Sequence, residues 1–417
     1  MRILLVHNAY LERGGEDAVF EAERDLLCER GHDVVEYRVS NEQVHDMGKL
    51  ALAARAVFGL GIRKEMARIV RNHGIEVAHF HNTQPMVSPS AFGIVRRAGA
   101  AVVHSLHNYR LACPAATMFR DGKVCTECVG LPFAKPAIRY GCYRGSRVAS
   151  AVVATTTAVH HALGTWRTDV DAYIALTAFQ RDLLVRSGLP RERVAVIPNF
   201  LARDPGSATG GGRRGVLFVG RLTEEKGLRV LLSAVSELPA GMPVRIVGIG
   251  PLGGEVARLA KADPRVVAVG LRNSEDVLEE MRRAAVLVVP SLWYEGMPMS
   301  VVEAFASGLP VIASRLGGLA SLVDQGHNGV LVAPNDAHEL AQAITAIASD
   351  RRRVNELSAG ARATFLARYT AGAHHDALLS LYAAALLARH SGESICIDHP
   401  REHEEFPTEQ DPALAAR

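Results

Sequence analysis

Two glutamates, Glu295 and Glu303, stand with seven residues between them in SLWYEGMPMSVVEAFASGLPVIAS (291–314), a stretch that begins and ends as buried strands do. We expect Glu295 in the turn after a strand, where it could accept hydrogen bonds from sugar hydroxyls. Glu303 would lie two turns into the next helix and could bind a vicinal diol such as a ribose. Gly296 and Met297 would head that helix, and amides at a helix start hold phosphate. The plainer alternative is a helix-start acid followed by a buried, paired Glu303.

Two glycine-rich turns follow predicted strands in the same half of the chain. FVGRLTEEKG (218–227) places Gly220 at a strand exit, where a ligand can approach the backbone closely. Arg221 and Lys226 follow it and could neutralise a diphosphate, although a β–α turn with two solvated cations would give the same sequence. IVGIGPLGGE (246–255) adds Gly250, but it lacks the full dinucleotide-binding fingerprint.

The first half carries candidates of the same kind. Gly14 and Gly15 precede a predicted helix, so they either admit a ligand close to the backbone or form a capping turn. His107 follows a predicted strand, at the end where ligands bind in open α/β sheets, although a lone histidine is often only packed or solvated. His79 and His81 have a spacing that could bind a metal, but we expect them to line the binding cleft.

Four of the cysteines form a local group with the spacing C-x11-C-x2-C-x13-C, namely Cys113, Cys125, Cys128 and Cys142. The segment that contains them is rich in turn formers and lacks a periodic apolar pattern, so it has no core of its own. The pattern fits a tetrahedral structural zinc site, in which the metal supplies the ordering that burial cannot. Reduced buried thiols, a disulfide and an iron–sulfur centre remain alternatives. We expect no catalytic role, because four protein ligands leave no open position.

The elements that must position these residues are strands and helices in alternation. Short Val/Ile/Leu runs without polar alternation indicate strands covered on both faces, and their alternation with helices indicates right-handed parallel crossovers. We therefore predict an α/β protein with two Rossmann-like, doubly wound domains that face each other across a cleft, with ligands beyond the carboxyl ends of the strands. The predicted strands are 2–8, 33–39, 77–82, 101–108, 171–177, 194–199, 216–221, 243–250, 266–270, 285–291, 310–314 and 329–334.

The predicted domain boundary falls near ARDPGSATGGGRRG (202–215), whose glycines and small polar residues suit a flexible linker. The tail lacks apolar periodicity and is expected to be disordered. The predicted parts are an acceptor-side domain over 1–200 with the cysteine-rich insertion at about 109–147, a donor domain over 201–370, a helix over 371–390 that packs back toward the first domain, and an acidic tail over 391–417.

Composition narrows the class of protein. The net charge of +3 is too small to argue for nucleic-acid binding, and no apolar run reaches the roughly 18–20 residues of a membrane span. The N-terminus reads as a strand and is too short for a signal peptide, so we expect a cytoplasmic protein with reduced cysteines. The basic, amphipathic stretch 48–74 could lie on the inner face of an anionic membrane, or it could be an ordinary helix pair packed on the sheet.

In combination, these motifs resemble those of the retaining glycosyltransferases of family 4, which have the GT-B fold. The stretch from Glu295 to Glu303 resembles that family's E-x7-E motif, VGRLTEEKG its donor-diphosphate loop and GIGP its base-side turn. The resemblance extends over about residues 1–385. This chain departs from the family pattern at Met297-Pro298, where Phe-Gly is common, and at Ser321, where an acid is common.

The resemblance implies a role for each candidate. Arg221 and Lys226 would bind the donor diphosphate, Glu303 the ribose and Glu295 the sugar ring, while Gly296 and Met297 would offer amides. The Gly14–Gly15 pair would lie near the donor phosphate, and His107 would contact the transferred sugar.

The resemblance also implies an activity. A nucleotide-diphosphate sugar would donate to a glycan or polyprenyl-linked acceptor by front-face attack, in cell-surface polysaccharide assembly and without a catalytic metal, since cations and amides take over that role. A nucleotide-sugar epimerase on the same scaffold and a non-catalytic sugar-nucleotide-binding or docking protein remain alternatives.

Overall fold

The structure, a computed structural model, describes residues 1–11, 13–44, 47–207 and 212–391. The described chain forms two compact units. The first contains Met1–Met118, Cys125–Pro198 and the chain from His374 on, and the second contains Phe119–Val124 and Asn199–Ala373. The predicted tail lies outside the described residues except for Ser391, as do 208–211 of the predicted linker.

Helices and strands alternate along most of the described chain. The strands are β1 Arg2–Ala9, β2 Asp33–Ser40, β3 Val77–Asn82, β4 Ala101–Leu106, β5 Phe119–Arg120, β6 Lys123–Val124, β7 Ala172–Ala175, β8 Val194–Val196, β9 Val216–Val219, β10 Val244–Val247, β11 Val266–Gly270, β12 Val286–Val289, β13 Val311–Ser314 and β14 Gly329–Val332. The α-helices are α1 Gly15–Glu29, α2 Lys49–Phe58, α3 Arg63–His73, α4 Ser90–Ala98, α5 Lys135–Tyr140, α6 Arg147–Ala162, α7 Thr165–Thr168, α8 Ala178–Arg186, α9 Leu228–Ala234, α10 Gly253–Ala262, α11 Ser274–Arg283, α12 Met299–Ala306, α13 Gly318–Leu322, α14 Ala337–Ala348, α15 Arg351–Arg368 and α16 Ala371–Ser391.

Each unit is built on a six-stranded sheet whose strands pair in parallel. The first has the order β2-β1-β3-β4-β7-β8 and the second the order β11-β10-β9-β12-β13-β14. Strand order therefore reverses between β1 and β3 in the first sheet and between β9 and β12 in the second. Ligands of doubly wound sheets bind outside the carboxyl ends of the strands at these reversals. The predicted α/β fold with two Rossmann-like domains is confirmed, and each predicted strand is present with shorter or similar bounds.

The inner strands β1, β3, β4, β7, β12 and β13 are buried almost throughout, as their continuous apolar runs predict, whereas the edge strands β2 and β11 are partly exposed. In the first unit Ile3, Leu5, Val77 and Val103 are fully buried in one cluster. In the second, a corresponding cluster joins strands β9, β10 and β12 to helices α9 and α14. This packing makes each sheet a rigid base for the loops at its carboxyl edge.

The C-terminal helix α16 belongs to the core of the first unit. Leu378, Tyr382 and Ala385 are fully buried and pack in the same cluster as Ile3 and Leu5. Burial of such side chains stabilises a fold by about 1.5–3 kcal/mol each. The helix also contributes buried polar side chains to the first unit, among them His374.

The basic stretch 48–74 forms helices α2 and α3. Helix α3 packs on α4 and buries the side chains of Met66 and Val70, and α2 packs on α6. None of the helices in the described residues combines the length and apolarity that crossing a membrane requires.

Candidate functional site

The strand-order reversal of the second unit brings together the loops that follow β9 and β12. The β9 loop ends at Gly227, the N-cap of α9, whose φ is +68°. A Cβ at Gly227 would lie 1.7 Å from the carbonyl oxygen of Pro290, so only glycine allows this approach. Lys226 lies in the turn directly before this N-cap.

An ion pair joins the two loops. Lys226 Nζ donates to both carboxylate oxygens of Glu295, at 2.8 and 3.0 Å. Ser291 Oγ donates to Glu295 Oε1 at 2.6 Å, and the Lys226 ammonium lies 5.3 Å from the centre of the Trp293 ring. Burial alone would raise the pKa of Glu295, which is 4% exposed, but Lys226 and Ser291 outweigh burial and lower it. The pair is therefore charged at neutral pH and positions a cation at the strand-order reversal.

Arg221 lies in the same loop, but its guanidinium contacts another residue. It pairs with Glu225 at 3.2 Å, and its side chain is 66% exposed. An exposed pair of this kind contributes little to stability, so the guanidinium can leave it for an anionic ligand at low cost. The structure thus places Arg221 near the site without joining it to Lys226 and Glu295.

Glu303 lies one turn into α12, which begins at Met299, and not two turns in as predicted. Within the described residues its half-buried carboxyl has no hydrogen bond or ion pair, and burial raises its pKa. A partly buried acid without a partner is costly, which suits a group that binds a ligand hydroxyl. The structure does not bring Glu303 into contact with Glu295.

The amides of Gly296 and Met297 do not head α12, because the N-cap is Pro298. The prediction that they form the helix start is therefore wrong, although both residues lie in the loop after β12. The Met297 side chain is buried, and its sulfur accepts a hydrogen bond from the Asn199 amide at 3.1 Å. This burial and this hydrogen bond hold the loop in place between the ion pair and helix α12.

The second glycine-rich turn packs against the β9 loop through its backbone. A Cβ at Gly248, whose φ is +136°, would lie 1.9 Å from the carbonyl oxygen of Gly220. A Cβ at Gly250 would lie 2.6 Å from the carbonyl oxygen of Leu222. These glycines keep the two loops together at the carboxyl edge of the sheet.

In the first unit, Gly14 and Gly15 open helix α1. The Gly14 amide donates to the Asp17 carboxylate at 2.9 Å, and the other Asp17 oxygen lies 2.9 Å from His7 Nε2. Burial opposes ionisation of Asp17, but these hydrogen bonds lower its pKa. A Cβ at Gly15 would meet open space. The pair forms the capping turn that the sequence allowed, with room for a ligand beside Gly15.

Next to this turn lies a carboxyl group that sequence reasoning passed over as a helix-start acid. Tyr10 Oη donates to Glu16 at 2.8 Å. Burial raises the pKa of Glu16 to about 7, although Tyr10 and Arg110 favour its ionised form. A carboxyl that titrates near neutral pH can exchange a proton with a ligand, and only the folded environment reveals it.

His107 follows β4 and lies on the wall of a small cavity that Gln84, Asn108 and Arg110 also line. Its Nε2 lies 2.9 Å from His81 Nδ1. Burial lowers the pKa of His107 well below its usual value, so the ring is neutral at neutral pH. His81 connects His107 to the buried carboxylate of Glu23, which sequence reasoning missed altogether.

The cysteine segment folds into the β5–β6 hairpin and helix α5, and its four cysteines form no disulfide with one another in the described residues. Burial raises the pKa of Cys113, and that of Cys128 to about 12, which favours the thiol over the thiolate. In the described part of the chain, Glu23, His79 and His81 form a group that could hold a metal ion, because their ligand atoms lie within 4.8 Å of one another. The four thiols do not form such a group, so the structure does not support the zinc prediction.

Both halves of the chain match glycosyltransferase family models. Residues 21–204 match the model described as Glycosyltransferase Family 4, and residues 213–350 match that of Glycosyl transferases group 1. The chain is 31% identical over 253 residues to the D-inositol 3-phosphate glycosyltransferase of Nocardia farcinica, covering 54% of this chain and 55% of that protein. It is 33% identical over 180 residues to the putative colanic acid biosynthesis glycosyltransferase WcaL of Escherichia coli, covering 39% and 44%. The chain spans about half the length, or less, of such relatives.

Solved structures with the same fold cover nearly the whole chain. Anabaena HepE in complex with UDP has a TM-score of 0.64 at 17% identity, covering 92% of this chain and 100% of that one. Sucrose-phosphate synthase from Thermosynechococcus elongatus has a TM-score of 0.66 at 18% identity, covering 93% and 99%. Each half of the chain therefore matches a glycosyltransferase family model, and its two parallel-sheet units have the GT-B fold of these structural neighbours.

Proposed function

We propose that the chain transfers a sugar from a nucleotide-diphosphate sugar to a hydroxyl of a glycan or lipid-linked saccharide, with retention of configuration. The observation that carries the proposal is the Lys226–Glu295 pair at the strand-order reversal of the second sheet. Two further observations support a nucleotide sugar as the donor: HepE was solved with UDP and with UDP-glucose. The matches to polysaccharide-type glycosyltransferases support surface-polysaccharide assembly as the setting.

The donor diphosphate binds beside the β9 loop. Lys226 has three N–H groups and uses two of them on Glu295, so one remains for a phosphate oxygen. Arg221 leaves Glu225 and adds a second cation. Both charges stabilise the negative charge that grows on the departing diphosphate, which is the largest catalytic contribution that this site can make.

The chemical step exchanges one bond at the anomeric carbon. The bond from the anomeric carbon to the diphosphate oxygen breaks as the acceptor hydroxyl forms a new bond on the same face, and the departing phosphate takes the hydroxyl proton. Glu303 binds the ribose diol, and Glu295 contacts a hydroxyl of the transferred sugar. Gly296 and Met297 contribute from the loop between them. The four-cysteine group is not part of the proposal for catalysis.

The test is a panel of UDP-, GDP- and ADP-sugars. A ligand that binds only the native state raises the unfolding temperature, so the true donor should give a concentration-dependent increase. In the presence of an acceptor saccharide, the same donor should give a glycoside with the donor's anomeric configuration. Binding without an acceptor-dependent product would favour the epimerase or the docking protein, and the absence of binding to every donor would contradict the proposal.

Two variants distinguish a loss of catalysis from a general effect of removing a lysine. Lys226→Ala should lower kcat by about a hundredfold or more, since it removes a cation from the leaving group. Lys261→Ala removes an exposed lysine of α10 in the same unit and serves as the matched control, with unchanged transfer. Equal activity of the two variants would remove Lys226 from the mechanism.

A further inference from the structure

We propose that Glu23 is a positioning residue for His107. Through His81, Glu23 fixes His107 as the tautomer that carries its proton on Nε2. The Nδ1 lone pair of His107 is then presented to the neighbouring cavity as a hydrogen-bond acceptor for a substrate hydroxyl. The role of Glu23 in sugar transfer rests on the function proposed above. The positions of the protons on His81 and His107 do not depend on that function.

Glu23 is a buried carboxylate surrounded by imidazoles. Its side chain is 2% exposed. Glu23 Oε1 lies 2.8 Å from His79 Nδ1 and 3.2 Å from His81 Nε2, and Oε2 lies 3.2 Å from His374 Nε2. Burial alone would raise the pKa of Glu23, but these neighbours hold it well below its usual value. The carboxylate is therefore ionised and can only accept hydrogen bonds.

His374 carries the positive charge that balances Glu23. Its Nδ1 lies 3.0 Å from the Pro198 carbonyl oxygen, which can only accept, so Nδ1 must bear a proton. Its Nε2 faces the Glu23 carboxylate and must bear a proton as well. With both ring nitrogens protonated, His374 is an imidazolium. A buried charge needs such a partner, and helix α16 supplies it.

His79 completes the set of donors to Glu23. Its Nε2 lies 2.8 Å from Ser105 Oγ, whose hydroxyl can donate to it. His79 Nδ1 then bears the proton and lies between Glu23 Oε1 and Tyr382 Oη, which is 2.8 Å away. Every ring nitrogen of His79 is therefore satisfied by protein groups.

His81 transmits the direction of the hydrogen bonds to His107. Because His81 Nε2 faces an ionised carboxylate, that nitrogen bears the proton. Burial lowers the pKa of His81 to about 4, so the ring is neutral and its Nδ1 is an acceptor. The partner at 2.9 Å is His107 Nε2, which must therefore donate. In neutral His107 this leaves Nδ1 without a proton, and among the described residues that nitrogen has no hydrogen-bond partner.

The hydrogen bonds that lead from Glu23 through His81 end at His107, beside a cavity that a ligand could enter. His107 is the first residue after β4, at the carboxyl edge of the sheet, and it lines a cavity with Asn108 and Arg110. A ring nitrogen with a lone pair accepts a hydrogen bond from a hydroxyl, and a tautomer that is fixed in advance need not reorganise when the substrate binds.

A metal ion is the competing occupant of this cluster. The ligand atoms of Glu23, His79 and His81 lie within 4.8 Å of one another, as metal ligands do. The hydrogen bonds described above nevertheless satisfy each of these side chains without an ion, as buried polar groups require. We therefore assign the cluster to proton positioning, and metal analysis is part of the test.

The direct test is nuclear magnetic resonance of the full chain labelled with 15N in its histidine rings. Variants His81→Asn and His107→Asn assign the two resonances. At pH 7 we expect both rings to be neutral with the proton on Nε2, and His374 to be protonated on both nitrogens. A proton on Nδ1 of His107, or a doubly protonated His81, would overturn the proposal. So would a metal ion bound in a one-to-one ratio to the wild type and lost in Glu23→Gln.

The functional test compares two identical changes on helix α1. Glu23→Gln removes the buried charge, whereas Glu21→Gln alters a carboxylate that pairs with Arg13 and Arg38 at the surface. We expect Glu23→Gln to lower kcat by about ten- to a hundredfold with little change in donor KM, and to give His107 a mixture of tautomers. Glu21→Gln should change neither. Unchanged kcat and an unchanged His107 resonance in folded Glu23→Gln would contradict the proposal.

Failure of this proposal differs from failure of the proposed function. If no donor supports transfer, the resonances of His81 and His107 still report the proton arrangement. If transfer occurs but His107 carries its proton on Nδ1, sugar transfer stands and the positioning role of Glu23 falls.

Discussion

The ammonium of Lys226 lies 2.8 and 3.0 Å from the two carboxylate oxygens of Glu295, although 69 positions of sequence separate the residues. They meet because β9 and β12 are neighbours at the point where strand order reverses. A loop that follows each strand reaches the same edge of the sheet. The ion pair is therefore a consequence of topology, and it can be tested apart from any activity.

The energy of this ion pair can be measured by a double-mutant cycle. We expect Lys226→Met and Glu295→Gln each to destabilise the fold and their effects to be non-additive by about 1–3 kcal/mol, because the pair is largely buried and shared. Urea unfolding of the four proteins gives the coupling. The exposed pair of Arg229 and Glu255 is the matched control, and its coupling should be clearly smaller, because solvent screens it. Additive effects at Lys226 and Glu295 would contradict the assignment.

The same pair predicts how stability changes in acid. The pKa of Glu295 is lowered in the folded state, so its contribution is present above the unfolded pKa and is lost as pH falls through the folded pKa. In Lys226→Met, the positive charge that lowers the pKa of Glu295 is gone, whereas burial still raises it. The Glu295 carboxyl should therefore be protonated at a higher pH than in the wild type. The fall in unfolding temperature between about pH 5 and pH 3, where unfolded acids titrate, should therefore be smaller in Lys226→Met than in the wild type. Parallel curves would count against a charged Glu295.

The fold follows from the sequence because its strands are continuous apolar runs. Such runs predict β1, β3, β9 and β12 within a few residues, and their alternation with helices predicts the parallel order. The errors lie at the strand ends, where the predictions extended several strands into the loops that follow them. Pro298 is the N-cap of α12, so the amides of Gly296 and Met297, which were predicted to head that helix, belong to the loop before it.

The network around Glu23 could not have been predicted in this way. A glutamate in a charged stretch of an amphipathic helix has the appearance of a surface residue, and its burial depends on β3 and α16, which are distant in sequence. The raised pKa of Glu16 depends likewise on Tyr10 and Arg110. By contrast, Lys226 and Glu295 stood out because each follows a strand in a polar loop.

Glu16 should make stability depend on pH near neutrality. Its folded pKa is about 7, above the usual value of 4.5 for a glutamate, because burial disfavours the charged form. Its contribution to stability is therefore present below the unfolded pKa and is lost as pH rises through about 7. Tyr10, Asn108 and Arg110 face the carboxyl, and Asp17 adds a like charge.

Glu16→Gln should remove this loss. We expect the unfolding temperature of the variant to fall less than that of the wild type between pH 5 and pH 7.5, as thermal unfolding in a series of buffers would show. Glu29→Gln, at the exposed end of the same helix, is the control and should follow the wild type. An identical pH dependence for Glu16→Gln and Glu29→Gln would exclude a raised pKa at Glu16.

Gly227 should be the glycine least tolerant of alanine in the β9 loop. Its φ of +68° disfavours other residues, and a Cβ would lie 1.7 Å from the Pro290 carbonyl oxygen. Gly241 shares the first feature, with φ at +81°, but a Cβ there would meet no atom within 4 Å. Gly241→Ala should therefore cost about 1–2 kcal/mol, the price of the left-handed backbone alone. Gly227→Ala should cost more, because the loops after β9 and β12 must separate. Urea unfolding compares the two costs, and sugar transfer should fall only in Gly227→Ala, since Lys226 and Glu295 would move apart. Equal stability and equal transfer in the two variants would show that the contact between Gly227 and Pro290 does not hold the ion pair together.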